Sequence, residues 1–301
     1  MLRGDRRVLR GGFGRQLTIK QYKIMNQNLN KDDYEEPRCL ICDTAEDPKP
    51  AAKIPMQRII AKLDEYIEAR DVSGAERLLA YWMAEAESSG DLGGLLSLYN
   101  EKMGLMRNNA RYGEAVEAAE AALGILGRQD FPEDSVTGTT YLNAATVYNA
   151  AGEYGKAAGF YELAQENYER LLEPSDPRMG GLYNNMAVNL GKVGRFDEAF
   201  EAYGRALEIM KGTKYEDLER AVTCVNLANL CELRSGTVEG EQEIYGWLEK
   251  AEELLDRNSV QTPYAAYVFE KCAPAFLYYG WFAYAEELKE RAKRIYGGAA
   301  R

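Results

Sequence analysis

The residues with the most suggestive spacing for chemistry are two cysteines, Cys39 and Cys42, which form a Cys-Leu-Ile-Cys segment. Paired thiols of this kind bind zinc or act as redox centres when the fold supplies further ligands or a strand and helix. The pair lies in the Asp-, Glu- and Pro-rich stretch 32–50, and no second pair follows at comparable spacing. Three interpretations stay open: a loop with two inert thiols, a metal site shared across a dimer, and a redox switch.

The sequence contains no histidine among its 301 residues, and this absence excludes catalysis by an imidazole and metal sites that use histidine ligands. Histidine is the commonest general base, and it activates the serine or cysteine of many hydrolases. We find no phosphate-binding glycine loop, no dinucleotide fingerprint and no nucleophile elbow. We therefore expect a chain without catalytic activity and without a cofactor, and with no candidate metal ligands other than Cys39 and Cys42.

Charge is distributed unevenly along this chain, whose net charge is −11. Residues 1–24 contain seven Lys or Arg against one acidic residue, and the abrupt change of composition favours Met25 as the natural start or a disordered head. The remaining acidic body should repel nucleic acid and anionic membranes. No apolar run reaches the roughly 18 residues that span a bilayer, and the odd number of cysteines is typical of reduced thiols. We expect a soluble, cytoplasmic protein that binds neither nucleic acid nor membrane.

The elements that position any site follow from an internal repeat over residues 59–297, with a period close to 42 residues. Segment 140–164 matches segment 182–206 position by position. On both sides of a glycine, apolar residues recur at i, i+4 and i+7, which predicts two amphipathic helices joined by a turn. Small residues recur because helices pack about 8–10 Å apart. The matching pairs are Asn143/Asn185, Ala145/Ala187, Gly152/Gly194, Tyr154/Phe196, Ala157/Ala199, Tyr161/Tyr203 and Ala164/Ala206.

The pattern Gly-x-[Tyr/Phe]-x-x-Ala-x-x-x-Tyr-x-x-Ala resembles the tetratricopeptide repeat (TPR), and the long period is most similar to repeats of the kinesin-light-chain type. The resemblance implies an all-α, right-handed superhelical solenoid of about six helix-turn-helix repeats. We expect an irregular or disordered segment over 1–54 and the array over 55–297. The expected units are 55–88, 92–128, 136–173, 178–213, 217–256 and 262–297.

A column of asparagines marks the expected concave face of this array. Asn143 lies two residues from both Tyr141 and Ala145, so it faces about 200° away from these core positions. An asparagine side chain donates and accepts hydrogen bonds, which suits it to an extended peptide backbone. The resemblance implies that the inner helices touch a bound polypeptide, whereas the alternative is that these amides bond within the scaffold. The column contains Asn143, Asn185, Asn189, Asn226 and Asn229.

Other positions of the expected groove follow from the same alignment and would set peptide specificity. They carry charges of both signs, so the pattern does not define the charge of the ligand. A dense aromatic run over 264–284 is either the core of the last repeat or a surface for a homodimer. The positions are Glu101, Arg107, Asn149, Lys192, Glu232, Glu270 and Lys271.

The sequence thus predicts a scaffold whose partner is a protein or peptide. One alternative is a peptide-signal sensor of the bacterial quorum-sensing type, although residues 1–54 lack the helix-turn-helix or helical bundle that such proteins usually carry. The other alternative is a thiol-redox or metal-dependent protein that works through Cys39 and Cys42.

Overall fold

The computed structural model describes residues 53–128 and 134–299, and every regular element in these ranges is an α-helix. The prediction of an all-α array is confirmed for this part of the chain. The basic head and the Cys39/Cys42 pair lie outside the described residues. None of the described helices combines the length and the apolar character needed to cross a bilayer. The helices are α1 (Met56–Glu68), α2 (Val72–Ser89), α3 (Leu92–Asn108), α4 (Tyr112–Leu126), α5 (Ser135–Ala150), α6 (Tyr154–Leu171), α7 (Pro177–Lys192), α8 (Phe196–Ile209), α9 (Glu216–Ser235), α10 (Glu241–Arg257), α11 (Pro263–Tyr278) and α12 (Phe282–Ala299).

Consecutive helices pack as pairs, and the pairs stack along the chain. The first helix of a pair contacts its own partner and also the first helix of the next pair, as α3 does with α5 and α9 with α11. We call α1, α3, α5, α7, α9 and α11 the inner helices and the remaining six the outer helices. This stacking is the arrangement that the repeat pattern predicts.

Small residues allow the two helices of each pair to approach closely. Ala157 and Ala164 on α6 have no exposed surface, and Tyr161 between them is also buried. Beside them, the ring of Phe160 stacks on Tyr148 of α5 with the two centroids 5.4 Å apart. Alanine at the crossing and an aromatic ring one turn away therefore fill the space between the two helices.

Most pairs turn through a residue with positive φ. Gly152 and Gly194 hold this position with φ of 82° and 79°, and the next N–H bonds the carbonyl five residues earlier. This is the Schellman arrangement, which satisfies carbonyls at the end of a helix. The equivalent turns of the first two pairs place Arg70 and Ala110 in the same region, with φ of 54° and 57°. A side chain in this region contacts the following carbonyl, so both residues are strained relative to glycine.

Replacing Ala110 with glycine is therefore expected to stabilise the protein by about 0.5–1 kcal/mol, since relief of this strain exceeds the entropy that glycine adds to the unfolded chain. Urea titration followed by circular dichroism measures the change. The matched control is Ala151→Gly, because Ala151 has a right-handed conformation with φ of −76° next to the equivalent turn. The control should be neutral or destabilising, and a destabilised Ala110→Gly variant would contradict the strain argument.

The buried apolar residues form three clusters rather than one core. The largest extends over α1 to α8 and the second over α9 to α12. The third, which includes Ala187, Tyr203 and Leu227, connects α7 and α8 with α9. Each cluster involves a run of consecutive helices, as expected for a stack of repeats.

The first and last helix pairs contact each other. Arg70, in the turn between α1 and α2, forms an ion pair with Glu270 on α11. Its guanidinium carbon also lies 5.5 Å from the ring centroid of Tyr296 on α12. The two ends of the described array are therefore in contact.

Candidate functional site

Three successive inner helices, α7, α9 and α11, line a groove of about 440 Å³, which we call the inner groove. Gly191 forms part of its wall, where a Cβ atom would lie only 2.8 Å from Cδ1 of Leu230. The missing side chain thus lets α9 approach α7 closely. The polar lining residues are Lys192 from α7, Asn226, Asn229 and Glu232 from α9, and Lys271 from α11.

The charged groups of the inner groove differ in whether they have partners. Glu232 accepts hydrogen bonds from the hydroxyls of Tyr278 at 2.7 Å and Tyr279 at 2.8 Å. The bond to Glu232 raises the pKa of Tyr278, so this hydroxyl remains a donor at neutral pH. Lys192 and Lys271 are exposed and form no ion pair within the described ranges. The ammonium of Lys271 lies 5.8 Å from the ring centroid of Tyr267, a contact that leaves its N–H donors unused. Two ammonium groups are therefore free to bond oxygen atoms of a ligand.

The side-chain amide of Asn143 on α5 forms a hydrogen bond to the neighbouring inner helix α3. Its Nδ2 donates to Oδ1 of Asn100 on α3 at 2.8 Å, and Nδ2 of Asn100 donates to Oγ1 of Thr140 on α5 at 2.8 Å. Asn143 as a whole is half-buried. These bonds hold α5 in register with α3, and each is worth about 0.5–1.5 kcal/mol.

The same arrangement occurs between α7 and α9. Nδ2 of Asn226 donates to Oδ1 of Asn184 at 3.1 Å, and the hydroxyl of Thr223 donates to the same oxygen at 3.1 Å. The asparagine column thus has a scaffold role at two positions, as the alternative interpretation of the sequence anticipated. Sequence reasoning missed Asn100 and Asn184, although each lies one repeat length before its partner.

The remaining members of the column have different environments. Asn189 is only 2% exposed, and its Nδ2 donates to Oδ1 of Asn149 and to the carbonyl of Tyr154, both at 3.1 Å. Asn189 therefore joins α7 to the preceding pair, and we correct its assignment from ligand contact to scaffold. Asn185 is half-buried and its Nδ2 has no hydrogen-bond partner among the described residues, whereas Asn229 accepts a bond from Tyr279.

Three other predicted groove residues do not line the inner groove. Arg107 on α3 donates to Oγ1 of Thr146 at 2.7 Å, again between neighbouring inner helices. Glu101 on α3 is half-buried, and burial, with a smaller effect of nearby Asp64, raises the pKa of its carboxyl. Glu270 is paired with Arg70 at the contact between the array ends. Of the predicted charged positions, the structure thus brings together Lys192, Glu232 and Lys271.

The thiols of the described residues are buried. Cys272 contacts the inner groove but is 1% exposed, and burial raises the pKa of its thiol to about 12. Burial also raises the pKa of Cys224 to about 11. Both thiols therefore stay protonated and weakly nucleophilic at neutral pH. Within residues 53–128 and 134–299, no group of three or more Cys, Asp or Glu side chains is arranged to hold a metal ion.

The aromatic run over 264–284 contains both core and surface residues. Phe269 and Phe276 are fully buried within the cluster of α9 to α12. Tyr278 and Phe282 are 67% and 65% exposed near the turn between α11 and α12. Part of the run therefore forms the core of the last pair, and the homodimer through its exposed part stays a prediction.

Comparison with protein families identifies the repeat. Residues 181–212, which cover most of α7 and all of α8, match the family model described as tetratricopeptide repeat. This segment of the chain is a tetratricopeptide repeat. The matched segment supplies Lys192 to the inner groove and Asn184 to the bonds between α7 and α9. No curated protein matches the sequence significantly.

Several solved structures are similar to this chain. The kinesin light chain nearly identical TPR-like repeats of Podosopora anserina are 21% identical, with 68% of this chain and 97% of that chain covered and a TM-score of 0.46. BtubC (BKLC) from P. vanneervenii is 22% identical, with 82% and 93% covered and a TM-score of 0.45. A Rap protein complexed with Competence and Sporulation Factor is 16% identical, with 82% and 66% covered and a TM-score of 0.54. The last likeness supports the same fold for the stacked pairs.

Proposed function

We propose that the protein is a non-catalytic scaffold that binds an extended peptide or protein segment in the inner groove. The observation that carries this proposal is the combination of an apolar groove floor with two exposed lysines, Lys192 on α7 and Lys271 on α11, that form no ion pair within the described ranges. Proteins with tetratricopeptide repeats generally serve protein interaction, and their concave surfaces are the usual place for it.

The chemistry of the inner groove suits an extended backbone. Such a segment presents N–H and C=O groups that must keep hydrogen-bond partners when it leaves water. Asn229 has an unused amide N–H pair, which can donate to a backbone carbonyl of the ligand. Asn226 has an unused side-chain oxygen, which can accept from a backbone N–H of the ligand. The two lysines bond carbonyl or carboxylate oxygens, while Val225 and Pro274 contact apolar side chains of the ligand.

The double variant Lys192→Glu/Lys271→Glu is expected to weaken peptide binding at least tenfold, or about 1.4 kcal/mol, because both donors to the ligand become acceptors. The probe is a peptide enriched from a phage-displayed random library on the full chain, and fluorescence anisotropy measures its affinity. The matched control is Lys289→Glu/Lys293→Glu, which makes the same charge change on the exposed face of α12.

The control variant should keep affinity within twofold of the unmodified protein. Equal losses in the two variants would show that net charge and not the inner groove determines binding. A library that yields no binding peptide, or a groove variant with unchanged affinity, would contradict the proposal.

A second candidate function is the sensing of a small signal peptide. The likeness to the Rap protein, whose structure contains Competence and Sporulation Factor, favours it. In that case a short free peptide would bind as tightly as the same segment inside a larger protein and would change the conformation of the array. A redox or metal role through Cys39 and Cys42 stays a prediction, which metal analysis of the Cys39→Ser/Cys42→Ser variant would test.

A further inference from the structure

The contact between the ends of the array joins residues that are far apart in sequence. Arg70 and Glu270 are separated by 200 residues, yet their side chains form an ion pair. Tyr296, on the last helix, supplies an aromatic face to the same guanidinium at 5.5 Å. One arginine in the first pair thus contacts both helices of the last pair, and it combines a charge pair with a cation–π contact.

The backbone of Arg70 gives independent support for a role of its side chain. The residue has φ of 54° at a turn where the third, fourth and sixth pairs have glycine. An arginine at this position is strained, so its local conformation favours glycine instead. Ala110 has the same backbone conformation, but its methyl group is too short for any such bridge, which makes it a natural control.

The strength of the contact is suited to reversible opening. The side chains of Arg70 and Glu270 are 69% and 40% exposed. Exposed ion pairs contribute little and are screened by salt, and a cation–π contact at an exposed site adds a similar small amount. A contact of this size holds two surfaces together most of the time and still opens readily.

We propose that Arg70, Glu270 and Tyr296 form a reversible latch between the first and last helix pairs, and that its opening increases the access of an extended peptide to the inner groove. Glu270 directly precedes Lys271, which lines the groove, so the latch and one groove wall belong to the same helix. The statement about access rests on the proposed function, whereas the latch itself does not.

The distance between the ends of the array tests the latch. In the full chain, azidophenylalanine replaces Glu65 on α1 and Lys293 on α12, and a spin label is attached to each. Double electron–electron resonance then gives the distribution of distances between the two labels in the absence of peptide. At low salt the unmodified protein should show a dominant short-distance population that decreases in 1 M NaCl. Arg70→Glu should reduce the ratio of short to long distances by about fivefold or more. Arg70→Glu/Glu270→Arg should recover part of it.

Glycine variants separate the side chain from the strained turn. Arg70→Gly relieves the strain and removes the latch, so it should reduce the short-distance population. Ala110→Gly relieves the same strain elsewhere and should leave the distribution unchanged. A wild-type distribution in both Arg70→Glu and Arg70→Gly would overturn the latch, and so would the absence of a short-distance population in the unmodified protein.

The association rate of the selected peptide tests the second part of the proposal. Stopped-flow anisotropy should show a faster association with Arg70→Gly than with Ala110→Gly. Equal rates, combined with an opened distance distribution, would overturn the statement about access and leave the latch in place. A failure of the peptide-binding proposal would leave the distance measurements unaffected, so the two failures are distinguishable.

Discussion

Replacing Phe276 with alanine is expected to destabilise the C-terminal helix pairs by about 3–5 kcal/mol, because a large buried ring is lost and a cavity remains. The ring has no exposed surface and contacts two other aromatic residues of the last pair. Its centroid lies 5.5 Å from that of Trp281 and 4.8 Å from that of Tyr284. Urea unfolding followed by tryptophan fluorescence and circular dichroism measures the loss.

Phe282→Ala is the matched control, since it makes the same chemical change at a residue that is 65% exposed. Its effect should stay within about 0.5 kcal/mol, as for most surface substitutions. Light scattering on this variant also tests the homodimer prediction, because a dimer through the exposed aromatics should dissociate more readily. Similar stability losses at the two positions would contradict the assignment of Phe276 to the core.

Replacing Gly138 with alanine is expected to destabilise the protein by about 2–3 kcal/mol, near the upper range for overpacked interiors. A Cβ atom on this residue of α5 would lie 2.4 Å from Oδ1 of Asn167 and 2.6 Å from the ring of Tyr168. Both neighbours are on α6, and both are almost completely buried. The two helices would have to move apart, because neither side chain has free space to enter.

The same substitution at Gly159 is expected to have the opposite sign. A Cβ atom there has no other heavy atom within 4 Å, so alanine should stabilise α6 by about 0.5–1 kcal/mol through its higher helix propensity. Thermal unfolding of the two variants in parallel measures both effects. If Gly138→Ala were as stable as Gly159→Ala, the close approach of α5 and α6 would be absent in solution.

The pairing of helices could be predicted from the sequence because its physical cause repeats. Most pairs have a small residue at the crossing and an αL residue at the turn, so Ala157 and Ala199, or Gly152 and Gly194, recur at a constant offset. The pattern predicted glycine at the turns and gave no indication that Arg70 holds the same backbone conformation. The side chain of Arg70 contacts Glu270 and Tyr296, which belong to the last pair.

The site could be predicted only in part. The alignment placed Asn143 and Asn226 on the inner helices, where the structure has them, but not their bonds to Asn100 and Asn184. Side-chain partners in neighbouring pairs depend on rotamers and on the exact stagger between helices, which a periodic pattern does not contain. The spacings of 43 and 42 residues between these asparagines were the available signal.

The ion pair of Arg70 with Glu270 could not be predicted from the sequence, for a different reason. It depends on curvature that accumulates from small rotations between all successive pairs. No local motif encodes such a sum, so Glu270 was assigned to the groove by its register alone.

The division of the buried residues into three clusters affects how this chain loses structure. Helices α9 to α12 share a cluster of their own and depend on α7 and α8 through a smaller set of contacts. Amide protons at the carboxyl end are therefore able to exchange through partial opening while the amino-terminal helices stay intact. Heating would then unfold the molecule in stages, and the groove wall that carries Lys271 would unfold together with the carboxyl-terminal cluster.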